Sequence, residues 1–370
     1  MVLWTTCAVR RRVVCVRPTP SGILPHPSSG IRRTGFVFSY PVAINYQRGA
    51  RRALGAAVCG RAVLGAAGLL ACGDRAPAPH ATTGATATGA TVTAITLTDD
   101  GGRSVRLARP ARRVISLIPS ATETLVALGA TDRIIGRTRY DVAPEVATRP
   151  SVGGGLDPSI EAIVALHPDL VIGWENDKRQ QVREKLATLG IPVFSLRTED
   201  TTDVFRNVAT LGQMTGRDSA AVALSATIRR EFDDVRRSVA GQPRPRVFYI
   251  VFNDPPMTAG PRTFIAQLIG VAGAESIFPD VTQLWPTVAM EEIVRRAPDV
   301  VVVPRDTSRG DALTDLRARG GWRAVGAVRA GHVVTVSANL VNRPGPHIGE
   351  AARALRDAFH PGLAGTHQKE

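Results

Sequence analysis

The stretch Asp157-Pro-Ser-Ile-Glu-Ala-Ile-Val-Ala-Leu-His-Pro-Asp-Leu-Val-Ile-Gly-Trp174 decides the fold, because it returns without a gap as Thr287-Val-Ala-Met-Glu-Glu-Ile-Val-Arg-Arg-Ala-Pro-Asp-Val-Val-Val-Val-Pro304. In both copies a glutamate, Glu161 or Glu291, opens a short amphipathic run. A Pro-Asp pair, Pro168-Asp169 or Pro298-Asp299, stops it, and an apolar run rich in β-branched residues follows. Proline cannot continue a helix and branched apolar side chains suit a buried strand, so each copy reads as helix, break, strand. Two related lobes are therefore expected, and a fold built twice from such units carries its function where strand ends converge, in the cleft between copies.

Outward from the first copy, Thr93 to Thr98 and Arg103 to Leu107 alternate on either side of Asp99-Asp-Gly-Gly102, a hairpin signal. Arg113 to Ile118 reads as a strand. Ser120-Ala-Thr-Glu123 has the spacing of a capping box and opens a helix that runs to Gly129. Strand and helix then alternate: 133–136 strand, 159–166 helix, 170–174 strand, 179–189 helix and 192–196 strand. That alternation predicts a parallel sheet covered by helices. Thr201 to Thr215 and Arg217 to Ala240 read as helices broken at Gly216, the second free of Gly and Pro and long enough to cross from one lobe to the other. Beyond it come a strand at 246–252, a helix at 263–271, the second copy of the repeat, a strand at 333–336 and a final helix at 347–359. The expected fold class is α/β: two similar lobes, each with a mainly parallel sheet flanked by helices, joined by one long backbone helix. The lobes span 93–216 and 241–370, with the helix at 217–240 between them.

The first 71 residues hold ten arginines and no Asp or Glu, so most of the net charge of +14 belongs to them and the remainder is only mildly basic. A nucleic-acid partner loses its electrostatic support on that ground. A basic cluster at 48–52 followed by a mostly apolar run to Ala71 has the form of an export signal, while 1–45 is expected to be an over-extended start. Leu69-Leu-Ala-Cys72 resembles a bacterial lipobox, which makes Cys72 the expected lipidated first residue of the mature chain. Residues 73–92, all small, polar or Pro/Gly, read as the tether behind it. The other cysteines, Cys7, Cys15 and Cys59, precede Cys72, so no disulfide framework is expected in the mature protein.

Arg113-Val-Ile-Ser-Leu-Ile-Pro-Ser-Ala-Thr-Glu-Thr-Leu125, Leu128-Gly129, Leu156-Asp-Pro-Ser-Ile-Glu161, Pro168-Asp-Leu-Val-Ile-Gly-Trp174, Leu189-Gly-Ile-Pro192, Trp285-Pro286 and Asn342-Arg-Pro-Gly-Pro346 together resemble the periplasmic solute-binding proteins of ABC importers. The likeness is to the helical-backbone class that takes cobalamin, haem and ferric siderophores, and most of all to its cobalamin branch. It implies a ligand between the lobes, with Tyr140, Trp174 and Trp285 as aromatic contacts and Arg343 as a cleft arginine that meets ligand amides or a phosphate, or the carboxylates of haem or a siderophore. Core packing is the competing role for the three aromatics, and a surface ion pair for Arg343. Glu161 and Glu291 are implied to dock on the two halves of a membrane permease, although a glutamate in a first helical turn also complements the helix dipole. The chain departs from the cobalamin branch in two places: Gly153-Gly-Gly155 stands where that branch has an aromatic, and Asn342 where it has an acid. Haem or a ferric siderophore is the alternative ligand. No permanent cofactor or bound metal, no nucleic acid and a monomeric state are expected, with an extracytoplasmic, membrane-anchored location.

An enzyme finds little support. No Gly-x-Ser-x-Gly elbow, His-Glu-x-x-His pair or Cys-x-x-Cys occurs, and the histidines, among them His167 and His332, form no triad by spacing. A ligand sensor outside transport is the other non-catalytic class.

Overall fold

The computed structural model describes residues 94–175, 180–305 and 310–364, all within one compact unit. Cys72 and the segments expected to form the export signal and the tether lie outside them.

The first lobe opens with an antiparallel hairpin of β1 (Ile95–Thr98) and β2 (Ser104–Leu107). The Asp99 carboxylate, buried under the turn, accepts from the backbone N–H groups of Gly101 at 3.0 Å and Arg103 at 2.8 Å. There follow β3 (Val114–Ser116), α1 (Pro119–Ala127), β4 (Ile134–Gly136), α2 (Ile160–Ala165), β5 (Leu170–Trp174), α3 (Gln180–Thr188) and β6 (Val193–Leu196). The four strands β3 to β6 make a parallel sheet in the spatial order β4-β3-β5-β6. Helices α4 (Thr201–Thr215) and α5 (Asp218–Ser238) lead out of the lobe, separated by Gly216, whose φ of 60° is the left-handed conformation that glycine adopts without steric cost.

The second lobe consists of β7 (Arg246–Tyr249), a two-stranded hairpin of β8 (Phe252–Asn253) and β9 (Pro256–Met257), α6 (Phe264–Val271), β10 (Glu275–Ser276), α7 (Met290–Arg296), β11 (Val300–Arg305), α8 (Ala312–Arg317), α9 (Gly326–Ala330), β12 (Val333–Ser337), α10 (Ala338–Val341) and α11 (Ile348–Phe359). Its parallel sheet runs β10-β7-β11-β12. With the hairpin set aside, both sheets place their second strand outside the first, then the third, then the fourth. The repeat in sequence is thus a repeat in topology.

Its local geometry repeats too. Among the described residues, the non-glycine positions with positive φ are His167 and Ala297, both at 45° and both immediately before the Pro-Asp pair. Such a residue costs about 1 kcal/mol or more, and each aspartate that follows shows what holds it there. Asp169 accepts from the N–H groups of Arg112 and Arg113, both at 2.9 Å, and Asp299 accepts from that of Arg246 at 2.8 Å. Each Pro-Asp pair therefore ends a helix and also clips the start of the first strand of its own sheet.

Helix α5, 21 residues and about 31 Å long, belongs to both cores. Ala221 packs with Leu211, Met214 and Leu125 of the first lobe, whereas Ile228, Phe232 and Val235 pack with Val247, Leu268 and Leu355 of the second. Leu224 borders both clusters. A fully buried isoleucine such as Ile228 contributes about 1.5–3 kcal/mol, so the half of the helix that faces the second lobe is firmly held.

Three expectations need correction. The strand expected over 246–252 leaves the sheet after Tyr249 and becomes a hairpin, and β10 was not anticipated. The expected capping box at Ser120 does not form: the N-cap lies two residues earlier, at Ile118, so that α1 begins at Pro119, no side chain caps it, and Glu123 is engaged elsewhere.

Candidate functional site

In open α/β sheets ligands sit beyond the carboxyl ends of the strands, and the loops at those ends are tightly built here. After β4 the Asp141 carboxylate accepts from the Thr138 N–H at 2.6 Å and its hydroxyl at 2.8 Å, a turn that leaves the intervening Tyr140 48% exposed. The Arg139 N–H donates to the Gly153 carbonyl at 2.9 Å, and its guanidinium pairs with Asp157 at 2.7 Å while lying 5.2 Å from the Tyr140 ring centroid. The rim of the first lobe is therefore the joined pair of loops carrying Tyr140 and the glycine triplet.

In the second lobe the hairpin after β7 grips the segment ahead of α7. The Thr258 N–H donates to the Pro286 carbonyl at 3.1 Å and that of Gly260 to Leu284 at 2.8 Å. Trp285 is held between those anchors, 38% exposed, with its ring edge-on to Phe264 at 6.5 Å. Phe252 on the hairpin is exposed as well, at 41%. Sequence reading passed over it because it closes an apolar run; the Asp254-Pro-Pro256 turn behind it was the signal that the run leaves the sheet.

Arg343 spans the lobes. It is carried by the turn after α10 in the second lobe, and its guanidinium donates to the Glu123 carboxylate of α1 in the first. Its Nη2 also reaches the Tyr140 carbonyl at 2.9 Å and Asn339 Oδ1 at 3.0 Å. Beside it Gly345 approaches so closely that an added Cβ would lie 3.1 Å from the Ser120 carbonyl oxygen and Cβ. The Glu123 and Arg343 side chains are only 12% and 14% exposed. Burial dominates and raises the Glu123 carboxyl above the usual carboxylate range, while the hydrogen bond from Arg343 pulls it back. A pair of this kind adds little net stability but is costly to break on one side. The structure thus brings Tyr140 and Arg343 together and adds Glu123, which sequence reading had assigned to a helix cap.

Asn342 turns away from this cluster. Its Oδ1 accepts from the hydroxyl of Tyr249 at 2.6 Å, inside the second lobe. Burial pushes the Tyr249 phenol upward, so Asn342 serves a phenol that stays protonated.

Trp174, at the end of β5, packs against the core of the first lobe. A Cβ on Gly155 would come within 2.6 Å of its Cζ3 and 2.3 Å of the Leu117 carbonyl oxygen. The third glycine of the triplet is therefore the space into which the indole fits. Together with Gly173, Leu117 and Leu186 they enclose a cavity of about 20 Å³.

Glu161 and Glu291 occupy the same position, the second residue of α2 and of α7, and both are exposed. The Glu161 carboxyl is lowered by its own backbone N–H and then by the Ser159 hydroxyl, 3.0 Å away. Around α7 the neighbours differ: Glu292 pairs with Arg295 and Arg296, and Arg296 with Asp280. Among the described residues no three His, Cys, Asp or Glu side chains cluster to hold a metal, and no helix is long and apolar enough to cross a membrane.

Comparison with known proteins agrees with this architecture. A cobalamin-binding protein of Halobacterium salinarum is 34% identical over 272 residues, covering 71% of this chain and 73% of that protein. The crystal structure of the periplasmic vitamin B12 binding protein BtuF of Vibrio cholerae superposes with a TM-score of 0.58 at 25% identity, over 69% of this chain and 99% of that one. A periplasmic haem-binding protein of Pseudomonas aeruginosa superposes with a TM-score of 0.60 at 26% identity, over 68% and 93%. The family model described as periplasmic binding protein matches residues 114–340, from the first strand of the first sheet to the helix that carries the chain to Arg343. With repeated lobes, a shared helix and that match, the chain belongs to the periplasmic binding protein family.

Proposed function

We propose that this protein is the solute receptor of an ABC importer, and that it captures cobalamin or a closely related corrinoid between its lobes and delivers it to a membrane permease. The observation that carries the reading is that each lobe exposes an aromatic ring, Tyr140 or Trp285, from a braced loop at its strand-end edge. Flat apolar faces on a pre-formed frame suit a macrocycle, and the 34%-identical relative is named a cobalamin-binding protein. Trp174 supports the wall from within the first lobe, and Arg343 sits at the cleft floor. Glu161 and Glu291, equivalent and exposed, are the permease-docking carboxylates. Cys72 is the lipid attachment point that holds the receptor to the membrane outside the cytoplasm. A haem or a ferric siderophore is the second ligand reading, favoured by structural relatives that bind haem.

Calorimetric titration of the purified protein with cyanocobalamin, haemin and a ferric hydroxamate tests the proposal. Submicromolar binding of cyanocobalamin is the expected result. Binding of haemin or the siderophore alone would reassign the ligand, and binding of none of the three would overturn the receptor reading.

A further inference from the structure

Both terminal nitrogens of Arg343 are already in use. One meets the Glu123 carboxylate, and the other the Tyr140 carbonyl and Asn339 Oδ1. The hydrogen bond to the Tyr140 carbonyl lies toward solvent, whereas the carboxylate end of the cluster is mostly covered. An anionic ligand that sought the guanidinium would have to lie against the Glu123 carboxylate or displace it, and a displaced carboxylate would remain mostly enclosed without a partner, which is the costly half of a broken buried pair. A ligand presenting a neutral carbonyl oxygen faces no such exchange: it can take the place of Asn339 Oδ1 on the solvent-side nitrogen, one amide oxygen for another, while Glu123 stays bound. The other acid at this floor, Asp141, binds the Thr138 N–H and hydroxyl through Oδ2 while its buried Oδ1 has no hydrogen-bond partner, so it adds negative charge beside Glu123; His347 faces Glu350 at 3.7 Å.

We infer that Glu123 is a specificity-determining residue: by neutralising Arg343 it sets the cleft floor against carboxylate-bearing ligands and in favour of ligands that meet it through amide carbonyls. The inference rests on the cleft being the solute site, as proposed above. It also makes Arg343 a positioning residue that fixes Tyr140 through its backbone and ties α1 to the second lobe.

The test compares wild type with Glu123→Gln, which keeps the shape of the side chain and a hydrogen-bond acceptor but removes the charge. Cyanocobalamin, rimmed with primary amides, and haemin, with two propionate carboxylates, are the probes. The expected result is a shift in the affinity ratio of at least about tenfold toward haemin in Glu123→Gln, and a return to the wild-type ratio when Arg343→Gln is added. A ratio within twofold of wild type in Glu123→Gln would overturn the inference, as would a wild-type protein that prefers haemin. If wild type binds neither probe, the corrinoid and haem readings fail and citrate decides the remainder. A citrate-dependent rise in melting temperature in Glu123→Gln but not in wild type supports the charge gate, and its absence sinks it.

Discussion

Replacing Gly155 by alanine tests how the wall of the first lobe is built. The new methyl would stand 2.3 Å from the Leu117 carbonyl oxygen and 2.6 Å from Trp174 Cζ3. Ordinary contacts of these kinds lie beyond about 3 Å, so a backbone oxygen or the indole must retreat by roughly 1 Å. Overpacking of this sort costs about 1–3 kcal/mol. For a body of this size each kcal/mol lowers Tm by about 2–4 °C, so a drop of about 4–8 °C is expected at the middle of that range. Gly173→Ala is the internal control: it borders the same small cavity, yet an added Cβ there meets nothing within 4 Å and its φ is not in the left-handed region. Its Tm should stay within about 2 °C of wild type. Differential scanning fluorimetry gives both numbers, and tryptophan emission shows whether the indole is the group that moves. The reasoning is refuted if Gly155→Ala melts with wild type, or if both variants fall equally.

Trp285→Ala removes an exposed ring held edge-on to Phe264. Corrinoid affinity should fall about fivefold or more, in line with roughly 1 kcal/mol per presented aromatic, with Tm nearly unchanged; unaltered affinity would return the ring to a packing role. Glu161→Ala combined with Glu291→Ala should leave solute binding intact and depress uptake in whole cells, so normal uptake would dismiss the docking role. The Asp280 and Glu292 carboxyls are held down to about 2 by Arg296 and by Arg295 with Arg296, respectively. Because their folded values lie below the unfolded ones, the network's contribution is complete above about pH 4.5 and is lost as pH falls toward 2. The Tm gap between wild type and Glu292→Gln should therefore be constant from pH 8 to 5 and close below, and a gap that widens on acidification would contradict the assignment.

The two lobes were legible because a Pro-Asp pair is a strong local mark and its repetition a second one. What the sequence could not display was why aspartate follows proline: the acceptors for Arg112, Arg113 and Arg246 are paired only when helix and strand close on each other. Glu123 shows the converse. Its spacing from Ser120 satisfies a local rule, but its partner is 220 residues away, and the long-range pair prevailed. Within the apolar run at 246–252 nothing marks where the sheet ends, since buried strand and exposed hairpin share composition there; only the Asp254-Pro-Pro256 turn beyond it does. Tyr140 and Arg343 were singled out separately, and only the fold joins them through the Tyr140 carbonyl, an atom that no side-chain pattern can reveal.

The shared helix α5 has a consequence for cooperativity. Leu224 borders the cores of both lobes, and the residues on either side of it belong to one core or the other. Neither lobe can melt without stripping one half of a helix whose other half the second lobe still needs ordered. The lobes should therefore unfold as one thermodynamic unit despite their separate sheets, and duplication would have produced not two independent domains but a single folding transition shared by both lobes.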